Sequence, residues 1–63
     1  MNLENKIEAI LFWKGEPISR KKLGEILKVN IEEINIGIEK LKINLEGRGV
    51  AFLEKDDDIM LGT

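Results

Sequence analysis

Apolar residues recur along this chain first at helical spacing and then at strand spacing. Leu3, Ile7, Ile10 and Leu11 recur three and four apart, which predicts a helix from about Leu3 to Trp13 with one buried face. Asn2 is placed to cap it, and Glu4 lies in the first turn, where the helix dipole favours an acid. Gly15 supplies a stop, and Pro17 cannot continue the helix. Ser19 is a good cap for a short second helix, about Arg20 to Lys28, with Leu23, Ile26 and Leu27 on one side. Asn30, with Glu33 three residues later, reads as a capping box for a third helix from about Ile31 to Glu46. Its apolar stripe is Ile31, Ile34, Ile38, Leu41 and Leu45.

The period changes after Gly47-Arg48-Gly49. Val50 to Lys55 and Ile59 to Leu61 read as two strands joined through Asp56-Asp57-Asp58, hence a β-hairpin. The second and third helices are separated only by Lys28-Val29-Asn30, as in a helix-turn-helix unit. The predicted fold is α+β and mainly helical: a winged helix-turn-helix of three helices and a two-stranded wing. No repeat, linker or low-complexity tract divides it, so residues 1–63 are read as one domain.

Composition narrows the function. The 63 residues include no His, no Cys and no Tyr, and Ser19 and Thr63 carry the only side-chain hydroxyls. Thiol chemistry, Cys/His zinc sites, His acid–base catalysis and a Ser-His-Asp nucleophile are thereby excluded. An enzyme would have only exposed carboxylates and lysines to work with, so the expectation is a non-catalytic module with no cofactor or metal. A chain this short buries only roughly 60% of its unfolded surface, so a dense core or a covering partner is needed. Ten Ile and eight Leu provide the core material. No apolar run approaches the roughly 18 residues of a membrane span, and the N-terminus lacks the pattern of a signal peptide. The default expectation is a cytoplasmic protein with no membrane contact.

Two stretches carry a family likeness. IEAILFWKGEPIS, residues 7–19, resembles the start of the segregation and condensation protein B (ScpB) family, where a helix of this type runs into a G-E-P-[IL]-S turn. LEGRGV, residues 45–50, resembles that family's passage from third helix to wing. The resemblance implies two winged-helix domains in tandem, of which this chain would be the N-terminal one. It implies a homodimer formed largely through that domain, and C-terminal domains that grip a kleisin subunit bridging the heads of an SMC ATPase. The implied role is chromosome condensation and segregation, at the nucleoid. Because the chain stops after one winged helix, contact with kleisin and SMC subunits is expected only through the full-length protein.

A winged helix also suggests DNA, and a winged-helix transcriptional regulator is the alternative reading. The charge pattern opposes it. The net charge is −2, but it divides unevenly. Residues 14–28 carry Lys14, Arg20, Lys21, Lys22 and Lys28 against Glu16 and Glu25, whereas residues 29–63 carry four basic and eight acidic side chains. On the outer face of the third helix, Glu32, Ile36, Glu39, Lys40 and Ile43 offer one cation where a groove reader needs several hydrogen-bonding side chains. Three aspartates at the wing tip would meet a phosphate backbone that demands cations. Direct DNA binding is therefore expected to be absent or weak. Consecutive aspartates in a turn also lack the alternate spacing of a calcium loop and read as a solvated turn.

Two groups of residues remain as candidate contacts. Arg20, Lys21 and Lys22 occupy the first turn of the second helix, where cations are disfavoured. They are either a solvated cluster or a contact for an anion or acidic partner. Ile36 and Ile43 lie two turns apart on one line, opposite the core stripe, and a pair of this kind suggests a protein contact. Phe12 and Trp13 either pack under the hairpin or anchor a dimer, since aromatics are preferred interface anchors. The expected interface is thus Phe12, Trp13, Ile36 and Ile43. Gly24 and Gly37, inside helices, are candidates for close helix contacts.

Overall fold

The computed structural model describes residues 2–62; Met1 and Thr63, one of the two hydroxyl-bearing residues, lie outside them. The elements run α1 (Leu3–Lys14), β1 (Ile18–Ser19), α2 (Arg20–Leu27), α3 (Ile31–Leu45), β2 (Ala51–Lys55) and β3 (Asp58–Gly62). This is the winged helix-turn-helix that the spacing predicts, with one strand added.

Each helix begins where its cap is. Asn2 Oδ1 accepts from the Asn5 amide at 2.9 Å, Ser19 Oγ from Lys22 at 3.0 Å, and Asn30 Oδ1 from Glu33 at 2.8 Å. Such a cap contributes about 1 kcal/mol. Only half of the capping box at α3 forms. Glu33 Oε1 accepts a long 3.5 Å bond from the Asn30 side chain. Gly15 closes α1 at φ 65°, its amide donating to Leu11 O. Lys28 closes α2 in the same left-handed region without being glycine, at φ 59°. The Val29 amide then donates to Gly24 O at 3.0 Å, the long bond of a Schellman end.

The sheet is antiparallel, in the order β1-β3-β2. β1 pairs with β3 through Ile18↔Ile59 and Ser19↔Asp58. β2 pairs with β3 from Ala51↔Gly62 to Lys55↔Asp58. The wing is therefore tighter than the predicted three-aspartate link. Asp58 belongs to β3, and the loop is Asp56-Asp57, with Asp56 at φ 56°. A positive φ at the first loop position suits a two-residue hairpin. The Arg20 amide donates to Asp57 O at 3.0 Å, which fastens the wing turn to the start of α2.

The core forms where the three helices meet the sheet. Ile7 and Leu11 of α1, Ile18, Leu23 of α2, Ile34, Ile38, Leu41 and Leu45 of α3, and Ile59 are buried. Leu3, Ile10, Leu27, Val29, Val50, Phe52 and Leu61 pack around them. Ile31, expected in the core stripe of α3, is instead 47% exposed. It sits in the first turn, ahead of the level at which α1 and the sheet cover the helix.

Candidate interaction surfaces

Phe12 and Trp13 follow directly on the last core residue of α1. At 100° per residue, each lies more than about 100° from the bisector of Ile7 and Leu11. Neither packs under the hairpin: they are 79% and 80% exposed. With Asn5, Glu8 and Ala9 they border a shallow depression of about 640 Å³, and no residue of α3 lines it. Lys14 Nζ lies 5.8 Å from the centre of the Trp13 ring. Glu8 is held by Arg48 at 3.0 Å. Two adjacent aromatic rings are thus presented on one end of α1 beside a neutralised carboxylate.

Ile36 and Ile43 are also exposed, at 58% and 66%, on the side of α3 away from Ile34, Ile38 and Leu41. The structure places all four candidate interface residues at the surface. It joins Phe12 with Trp13 in one depression and keeps Ile36 and Ile43 on a separate helix.

The basic cluster divides. Arg20 is held within the domain: its guanidinium donates to Asn35 Oδ1 at 2.8 Å and to Glu54 Oε2. Lys42 Nζ donates to the other Glu54 oxygen at 2.9 Å and to Glu39 at 3.3 Å, and lies 5.3 Å from the Phe52 ring centre. One carboxylate on the wing thus gathers a cation from α2 and a cation from α3. Lys21 remains unpaired among the described residues and lines, with Arg20, a groove between α2, α3 and the wing turn; Lys22 does not line it. The same groove is bordered by Asp56, Asp57 and Asp58. The acidic turn therefore lies beside the basic first turn of α2, and part of the anion that this turn lacks is provided by the chain itself.

The hydrogen bond from Lys42 is the main reason that the Glu54 carboxyl is held below its ordinary value of 4.5, with the charges of Lys42 and Arg20 adding to it against some desolvation. Lys42 is raised above 10.5, chiefly by its hydrogen bond to Glu54, against desolvation and with help from Glu39. A depressed carboxyl stabilises the fold above its unfolded pKa and loses that contribution as pH falls through the folded value. A raised lysine contributes fully below its unfolded pKa and loses it only as pH rises above 10.5. Acid titration is expected to lower the urea midpoint once pH passes below about 4.5. A Glu54→Gln variant should start lower at neutral pH and show a smaller acid slope. An unchanged slope in the variant would mean that Glu54 does not couple the wing to the helices.

No metal-binding group of three or more acidic residues is present among the described residues. No described helix is long and apolar enough to cross a membrane.

No family model matches the chain. No solved structure matches it. A curated protein does: Segregation and condensation protein B of Carboxydothermus hydrogenoformans is 34% identical over 65 aligned positions. The match takes in all of this chain, which spans only 35% of that relative's length. The residues that suggested the family, 7–19 and 45–50, build the end of α1 with the turn into β1 and the passage from α3 to the wing. The resemblance to the segregation and condensation protein B family thus holds over the whole of this chain, which folds as a winged helix-turn-helix.

Proposed function

We propose that the chain is a non-enzymatic assembly module in chromosome condensation and segregation, acting by dimerisation. The observation that carries this is the whole-chain likeness to a protein named for segregation and condensation. The four exposed apolar residues support it, because a domain this small gains stability by covering them. The module would be the N-terminal winged helix of a longer, two-domain protein. Contacts with kleisin and SMC subunits would be made by that full-length protein, in the cytoplasm at the nucleoid. Direct recognition of duplex DNA is not part of this reading. Arg20 and Asn35, two side chains suited to bases or phosphate, are bonded to one another, and Arg20 also to Glu54.

Sedimentation equilibrium tests the dimer. Wild type is expected to associate in the micromolar range, and Ile36→Glu/Ile43→Glu to be monomeric at the same concentrations. A wild type that stays monomeric at high micromolar concentration would end the proposal.

A further inference from the structure

The groove between α2, the start of α3 and the wing turn has a volume of about 1170 Å³. Gly24, Val29 and Ile31 are its apolar lining residues, and Ile31 is a large side chain left half exposed there. Around that surface stand the carboxylates of Glu25, Asp56, Asp57 and Asp58, none of them in an ion pair among the described residues. Among the described residues, Lys21 and Lys28 are the unpaired cations of the groove, since Arg20 is bonded to Glu54. Four unpaired carboxylates against two lysines leave an acidic excess around an apolar floor. One wall is also held in place beforehand, because the Arg20 amide donates to Asp57 O and ties the wing turn to α2.

We propose that this groove is a docking site for a cationic, amphipathic peptide segment of a partner protein, whose apolar side chains cover Ile31 and Val29 while its lysines or arginines face the wing turn and Glu25. Charge complementarity selects this occupant. A phosphate backbone would meet the same four carboxylates and be repelled, and an acidic peptide likewise. None of Phe12, Trp13, Ile36 or Ile43 lines the groove, though its residues Asn35 and Glu39 neighbour Ile36 on α3.

The test is a titration of the isotope-labelled chain by NMR with three probes. These are a synthetic amphipathic helical peptide of leucine and lysine, the same peptide with glutamate in place of lysine, and a short DNA duplex. The expected result is saturable shifts of the Gly24, Val29, Ile31 and Asp57 amides with the lysine peptide alone, weakening as salt is raised. Ile31→Ser, which loses an apolar contact, is expected to weaken binding by about tenfold or more. Asp56→Asn/Asp57→Asn is expected to weaken it while keeping the dispersed spectrum of a folded chain. Equal response to the glutamate peptide, a response to DNA at the same amides, shifts centred on Phe12 and Trp13 instead, or no binding would each overturn the proposal.

Discussion

Gly37→Leu is expected to lower the melting temperature by about 12–24 °C, whereas Gly37→Ala should change it little. The contrast follows from what faces this position. A Cβ built on Gly37 would lie 2.8 Å from Ile7 Cδ1 and 3.2 Å from Leu3 Cγ, so α1 rests directly on the α3 backbone here. Ile7 is fully buried, so its end can yield to a methyl but has no open space to take in a larger side chain. Alanine removes the helix penalty of glycine, about 1 kcal/mol, and its methyl must push back the end of Ile7 and the side chain of Leu3, each by a small fraction of an ångström. The two effects oppose each other and nearly cancel. Leucine adds three more carbons along the same line and would have to lift α1 away from α3. Overpacking of this kind costs about 1–3 kcal/mol or more. A domain of this length has only roughly 3–9 kcal/mol in total, at 0.05–0.15 kcal/mol per residue. A loss of 3 kcal/mol would lower the melting temperature by about 12–24 °C. Thermal melts followed by far-ultraviolet circular dichroism measure both variants. A leucine variant that melts like wild type would show that α1 does not sit on Gly37.

What was legible in the chain was local. Asn2, Ser19 and Asn30 cap their helices because the cap and its amide lie three residues apart, within one turn, where tertiary context has little to change. The helix stops at Gly15 and at Lys28-Val29-Asn30 are legible for the same reason. β1 was not legible: Ile18 and Ser19 are too few to carry a period, and they are a strand only because β3 passes beside them. That same pairing moves Asp58 out of the predicted loop and into the sheet. Ile31 obeys the core spacing of α3, yet spacing along a helix cannot tell where the neighbours that bury it end. The Arg20–Glu54 contact joins residues 34 apart in the chain. No pattern at either position announces it, so Arg20 looked like a free surface cation. For the candidate interface, helical geometry placed Ile36 and Ile43 outside correctly. It left Phe12 and Trp13 undecided, because their burial depended on where the hairpin would pack.

Phe12→Ala/Trp13→Ala is expected to abolish dimerisation without unfolding the domain. Both rings are about four-fifths exposed in the single chain, so removing them takes away little of its core. Surface substitutions of this kind usually change stability by no more than about 0.5 kcal/mol. In an interface the same rings would be anchors, and truncating an anchor costs about 2 kcal/mol or more, roughly thirtyfold in the dissociation constant. The pair should therefore weaken association by about a hundredfold or more, short of full additivity because the rings are neighbours. Mass action separates this loss from any loss of fold. A dimer that binds only the folded chain raises the unfolding midpoint as concentration rises, by about 2.7 kcal/mol of stability at a hundredfold excess over the dissociation constant. Wild type should show that rise. The double variant should melt at one temperature at every concentration, and that temperature should match wild type at its most dilute. A wild-type midpoint independent of concentration, or a variant that climbs in parallel with it, would remove Phe12 and Trp13 from the interface. A variant that melts lower even at high dilution would instead assign the two rings to the core, against their exposure in the structure.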